Sequence, residues 1–268
     1  MFVIEERLRK KTDTVLKKYS EFGIELVIKE IKIDGHLTNY KPRLILEAAG
    51  MNPNADFIFY IDPDIVVQAD WEFFEQWSSN CISLFCDPLW HPMLASHPKK
   101  LTWKKIAADY GLGSRDFEGY ACAGFIGLPR PYLGFTELWG RLLERLEVSG
   151  FLSSDTFHSG RSTDPFMAMD QDVLNLALMA SDVPFSLASP ENQGIVANGA
   201  YIAHAQGTPK PWRGGLIRNA IRLGKRPSYA VRQYWEYVTH PVAVHSFLDL
   251  GIAKLNIRFA TLISRLFG

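Results

Sequence analysis

The segment that most constrains this chain is Phe57-Ile58-Phe59-Tyr60-Ile61, five apolar or aromatic residues set between Asn52-Pro53-Asn54 and Asp62-Pro63-Asp64. A run that short, bounded on both sides by turn residues, predicts a strand buried on both faces, as in a mostly parallel sheet covered by helices. The surrounding pattern agrees. Residues 3–20 place Val3, Leu8, Val15, Leu16 and Tyr19 among many charged residues and predict a surface helix, and 24–33 predict a strand. Further helices are predicted over 42–49, 71–77, 133–148 and 172–180, with strands over 81–86 and 124–128. Strands alternating with helices define an α/β fold of the Rossmann-like, nucleotide-binding kind.

With 268 residues, 47% hydrophobic and 22% charged, the chain has enough apolar surface to bury a core, and disorder as its main state is excluded. Cys81, Cys86 and Cys122 form neither an even disulfide set nor a paired zinc motif, so reduced, buried thiols are expected. No signal-peptide core is present, and no run of about 18 residues is continuously apolar. A cytoplasmic location is therefore the expectation. Lys and Arg total 29, as do Asp and Glu, yet residues 210–268 hold ten bases against Glu236 and Asp249. Such an end is built to meet something anionic. From Leu248 onward, Ile252, Leu255, Phe259, Leu262 and Leu266 recur at steps of three and four, giving a basic amphipathic helix.

Three segments carry residues suited to chemistry. Asp62-Pro63-Asp64 stands at the end of the buried strand, the edge where ligands bind in open α/β sheets. Two carboxylates there can hold Mg²⁺ or Mn²⁺ together with substrate phosphates, although the same tripeptide is also good turn chemistry. A hydrophobic strand followed by such a pair also opens phosphoaspartyl hydrolases and transferases. Here Ile65-Val66 follows, without a Gly-Thr or Gly-Val continuation. Asp170-Gln171-Asp172 starts an apolar helical run, where the acids offset the helix dipole or where Asp170 and Gln171 face a sugar's hydroxyls. In the third segment His204 can supply a nitrogen ligand that favours Mn²⁺. Gly207 lets backbone approach a phosphate, and Lys210 supplies a charge for it.

Taken in order, Asp62-Pro63-Asp64, Cys122-Ala123-Gly124, Asp170-Gln171-Asp172 and His204…Gly207…Lys210-Pro211-Trp212 resemble glycosyltransferase family 8 and its close relatives. The resemblance implies a GT-A fold and a retaining hexosyltransferase that takes a nucleoside-diphosphate sugar, with UDP as the nucleotide. It implies Mn²⁺ (or Mg²⁺) on Asp62, Asp64 and His204, and donor phosphates on Gly207 and Lys210. Asp170 and Gln171 would line the donor sugar, with Gln171 near the anomeric carbon as the catalytic pair's second member. Cys122, Ala123, Gly124 and Trp212 would complete the substrate-binding surface. Cys122 stands where the family carries Asn, which removes an amide from the sugar or acceptor site.

The same resemblance implies a GT-A domain over 1–212 and a helical extension over 213–268. The acceptor would be a saccharide or glycolipid, as in polysaccharide or lipopolysaccharide biosynthesis. Read from its residues and not from the resemblance, the segment 88–119, with Trp90, His91, His97 and Trp103, is a candidate acceptor lid, although His and Trp in a long loop are at least as often simple packing. The basic end would rest peripherally on an anionic membrane at its inner face; a nucleic-acid partner is not implied, because stacking platforms are missing. The family's first central strand has no counterpart ahead of the 3–20 helix, so the expectation is a start upstream or a chain with weakened activity. The rival reading is an impaired GT-A-like binding or scaffold chain.

Overall fold

The computed structural model describes residues 2–4, 19–21, 25–30, 36–152, 163–194, 200–207, 210–239 and 245–267. In chain order the elements are β1 (Phe2–Ile4), β2 (Ile28–Glu30), α1 (Lys41–Met51), β3 (Phe57–Ile61), β4 (Ile65–Val67), α2 (Trp71–Trp77), β5 (Ile82–Cys86) and α3 (Pro98–Asp109). There follow β6 (Ala121–Pro129), α4 (Leu133–Val148), α5 (Met169–Met179), β7 (Phe185–Ala188), β8 (Ile202–His204), α6 (Leu216–Leu223), α7 (Tyr229–Tyr237) and α8 (Phe247–Phe267). The expected mixed α/β class holds.

Contacts divide the chain into two compact units, one of residues 32–61 and 71–189, the other of 1–31, 62–70 and 190–268. The first contains the four-stranded sheet β3-β6-β5-β7. Its β5/β7 pairing is parallel, whereas β3/β6 and β5/β6 are antiparallel. The expectation of a mostly parallel setting for Phe57–Ile61 is therefore corrected: β3 pairs antiparallel with β6, and four of its five residues are only partly buried. Aromatic side chains explain this, since Phe59 packs edge-on against Trp71 rather than being enclosed. The fully buried strands are β5 and β6. At Gly127 of β6 a Cβ would lie 2.1 Å from Ser83 Oγ and 2.4 Å from Ser78 Oγ, so only glycine fits. Around the sheet, α4 buries Phe135, Trp139, Leu142, Leu143 and Leu146 at helical spacing, and α5 is buried along nearly its whole length.

Residues 88–119 are not the long lid expected. Pro98 at the first helical position and His97, whose ring accepts the Lys99 N–H at 3.2 Å, start α3 within them. Trp103 is fully buried and donates to Pro165 O at 2.9 Å, so it is core.

In the second unit β1 pairs parallel with β2, and β4 pairs antiparallel with β8. The helix expected over 3–20 is replaced at its start by β1, because Phe2-Val3-Ile4 is an aromatic and β-branched run that favours a strand. Residues 5–18 of that helix lie outside the described residues, and Tyr19 and Ser20 are helical. A strand therefore does stand at the N-terminal end, where none was expected. Ala230, Val231, Tyr234 and Trp235 of α7 and Ile257 of α8 bury Val66, Ala203 and Ala205. The boundary expected after residue 212 falls inside this unit, since the C-terminal helices form its core. Among the described residues no helix is long and apolar enough to cross a membrane.

Candidate functional site

The β4/β8 ladder builds the first group. Register sets Ile65 opposite His204, and Ala205 N donates to Asp64 O at 2.9 Å, which extends the pairing by one residue. Ahead of β4 the chain turns: Ile65 N donates to Asp62 O at 3.0 Å across Pro63. Asp at the first position and Pro at the second are the residues such a turn prefers. The turn and the ligand pair are thus one feature, because the turn is what presents both carboxylates beside His204. Ligand atoms of Asp62, Asp64 and His204 all lie within 4.8 Å of one another. Metal–ligand bonds of about 2.1–2.4 Å allow ligand–ligand spans of roughly that size.

Asp64 and His204 are buried and Asp62 is half-buried. His204 Nε2 lies 3.5 Å from Asp64 Oδ1. On the far side of the ring, Nδ1 is 3.2 Å from Gln193 Oε1 and 3.2 Å from Gln206 Nε2. With no cation between them a protonated ring faces Asp64 through Nε2; loss of that proton, with the Nδ1 proton donated to Gln193, would give the Nε2 lone pair that a metal ligand needs. Lys210 Nζ donates to Asp64 Oδ2. Burial pushes the Asp64 carboxyl up, but the hydrogen bonds and charges of His204 and Lys210 outweigh it and hold the group at about 2. Asp64 is therefore a carboxylate at any physiological pH. Tyr234 is pushed up to about 12 by burial and by the Asp64 charge, so it stays a neutral phenol there.

Two carboxylates and an imidazole suit Mn²⁺ or Mg²⁺, with the nitrogen favouring the former. Gly207 has φ of +85° with open space around a Cβ, so glycine is required by backbone conformation and not by crowding. Thr208 and Pro209 lie outside the described residues. Trp212 stands in the short turn Pro211–Arg213, packs 5.8 Å from the Tyr234 ring, and lines a groove of about 390 Å³ with Trp235 and Arg218.

The second group lies in the other unit, where β6 meets the start of α5. Cys122, Ala123 and Gly124 are buried in β6. Gln171 Oε1 accepts from Ala123 N at 3.0 Å, and its Nε2 donates to Asp87 Oδ2 at 3.1 Å. Lys41 Nζ, buried, reaches both Asp170 Oδ2 and Ala123 O at 3.0 Å. Asn175 makes two bonds to the Ala121 backbone, and Asp172 takes Lys99, the Tyr120 hydroxyl at 2.7 Å and Ala168 N at 2.7 Å. Gln171 thus links β6 to Asp87, the residue after β5, with both ends of its amide engaged. The acids at this helix start have their own cations, Lys41 for Asp170 and Lys99 for Asp172.

Sequence reasoning missed Gln193, Tyr234, Lys41, Lys99 and Asp87. Gln206, two residues after His204, was the one newly found partner with a local signal, a polar side chain inside a segment already singled out. Cys86 and Cys122 are buried, as expected, whereas Cys81 is only partly buried.

No protein-family model matches the chain, and no curated protein matches it in sequence. Among solved structures it is similar to the apo form of WbbM, a bifunctional glycosyltransferase, at 11% identity over 93% of this chain and 44% of that one, with a TM-score of 0.51. It is also similar to a glycosyltransferase involved in glycosylation of the major capsid of PBCV-1, at 14% identity over 76% of this chain and 88% of that one, TM-score 0.44. A third is the galactosyltransferase LgtC in complex with donor and acceptor sugar analogs, at 14% identity over 79% and 88%, TM-score 0.36. The likeness to WbbM is one of fold.

Proposed function

We propose that this chain is a metal-dependent glycosyltransferase that moves a hexose from a nucleoside-diphosphate sugar, UDP being the nucleotide, to a saccharide or glycolipid acceptor. The observation that carries the reading is the convergence of Asp62, Asp64 and His204, with Lys210 on Asp64, on a fold similar to that of a glycosyltransferase. A nucleoside diphosphate leaves poorly until its growing negative charge is met, and a divalent cation supplies that neutralisation when bound. Asp62 and Asp64 provide hard oxygen ligands, and His204, oriented from behind by Gln193, provides the nitrogen. Lys210 brings a further positive charge to the same place for the donor's phosphates, and Gly207 lets the backbone come close to them. Asp170 and Gln171 line the donor sugar in this reading. Departure and attack on the same face, as in family 8, make the enzyme retaining.

A second reading, a GT-A-like chain that binds the donor without turnover, draws on Gln171, whose amide is engaged at both ends. Calorimetry with UDP-glucose and UDP-galactose, with and without Mn²⁺, followed by assay of UDP release, tests both. Binding that requires Mn²⁺ and is lost in Asp64→Asn and His204→Ala supports the site. Release of UDP then favours the enzyme, and binding without release favours the second reading. Donor binding indifferent to Mn²⁺ and to both substitutions refutes the assignment.

A further inference from the structure

Helix α8 is apolar on two opposite sides. Its inner side buries Ile257, Ala260 and Ser264 in the second unit. Its outer side carries Leu248, Ile252, Leu255, Phe259, Leu262 and Leu266, each 49–75% exposed. These six follow one another at steps of four, three, four, three and four. That is a mean step of about 3.5 residues, the spacing of a coiled-coil seam, and it confines them to an arc of about 80° opposite the buried side. A stripe so narrow is shaped for a facing helix rather than for a broad apolar surface. The helix is already formed by packing along α6 and α7, so a partner would have no backbone to order.

We propose that the outer face of α8 is a homodimer interface, along which α8 of a second copy lies antiparallel. Alternating steps of four and three read the same in both directions. A two-fold axis beside position 257 therefore sets Leu248 against Leu266, Ile252 against Leu262 and Leu255 against Phe259 of the second copy, so all six side chains meet an apolar partner. A parallel pair would instead set each Phe259 ring on its own counterpart. Six side chains at this exposure from each copy bury on the order of 1,200 Å² together, the lower bound of a standard-size interface. Charge opposes the pairing without preventing it. Arg258 and Arg265 are exposed on one flank of the seam, where the two-fold axis brings Arg258 near its counterpart, and Lys254 is held by Glu236 at 3.2 Å. Association is thus driven by apolar burial against a like-charged rim, and salt strengthens it by screening that rim. This inference goes beyond glycosyl transfer and does not rest on it, since neither the metal group nor a donor enters the interface.

Sedimentation equilibrium of the full chain tests it. The expected result is a monomer–dimer equilibrium that shifts toward dimer as salt rises. Leu255→Asp with Phe259→Asp puts four carboxylates into the central layers of the pair and should raise the dissociation constant about a hundredfold or more. The circular dichroism spectrum of that variant should be unchanged, since both positions face outward. Register has its own readout. In a Cys81→Ser background, which removes the partly exposed thiol, a short bis-maleimide should join an Ile252→Cys chain to a Leu262→Cys chain and leave either one alone uncrosslinked. A chain that stays monomeric at every concentration overturns the proposal, as does a dimer that the Leu255→Asp, Phe259→Asp variant keeps or that salt dissociates. Cross-linking of Ile252→Cys chains to one another overturns the antiparallel pairing. A monomer that floats with vesicles containing phosphatidylglycerol assigns the ridge to lipid instead.

Discussion

Ile65 and His204 are paired across the β4/β8 ladder, so the carboxylate just before one strand and the imidazole ending the other fall on one edge, 3.5 Å apart at Asp64 Oδ1 and His204 Nε2. Antiparallel register, not proximity in sequence, brings the candidate ligands together.

Gln193 sits behind His204 at 3.2 Å and orients the ring. Gln193→Leu should weaken Mn²⁺ binding by about 10–100-fold, the usual effect of losing such a partner, with the fold retained. Electron paramagnetic resonance titration of free Mn²⁺ measures this; affinity equal to that of the wild type would show that the ring needs no such support.

Lys99 and Asp172 form a buried pair at 3.1 Å. Lys99→Met leaves the carboxylate with the Tyr120 hydroxyl and Ala168 N but no cation, and should destabilise the protein by about 3–5 kcal/mol in urea unfolding. Adding Asp172→Leu should recover part of that loss, because no isolated charge then remains. A double variant no more stable than the single one would contradict the argument.

The cap of α3 titrates. His97 must be neutral to accept the Lys99 N–H, and burial, then the charges of Lys99 and Lys100, outweigh the opposing charge of Asp172 and hold it below its ordinary 6.5. A base whose pKa is lower folded than unfolded binds fewer protons in the folded chain as the pH drops. The stability is therefore intact above pH 6.5 and is lost as the pH falls through the folded pKa. Asn at position 97 caps without titrating. The stability of the wild type relative to His97→Asn should fall between neutral and mildly acidic pH in thermal melts, and a constant difference would rule out the cap as the titrating element.

Gly127 faces two serine hydroxyls that lie 2.5 Å from each other. Gly127→Ala must push Ser83 and Ser78 aside in a fully buried strand and should cost about 1–3 kcal/mol. Ser83→Ala combined with it should restore part of the stability, measured by the same urea titration.

Much of this fold was legible because its signals are local. Helical spacing located α4 and α5, and Asn52-Pro53-Asn54 and Asp62-Pro63-Asp64 bracketed β3. The Asp62, Asp64, His204 and Lys210 set was readable as residue types in a fixed order. The strand at Phe2–Ile4 was not, since three residues ahead of a charged amphipathic pattern carry little weight against it.

The chain's own order of residues determined which groups were available for chemistry and which short segments would be strand, helix or turn, because those preferences act over a few neighbouring residues. Only the tertiary structure decided that β3 pairs antiparallel, that Lys41 and Lys99 neutralise Asp170 and Asp172, that Gln171 braces Ala123, and that α8 keeps a second apolar side outward. These depend on register and on which side chains lose water together. Desolvation and long-range pairing have no local spacing from which they can be read.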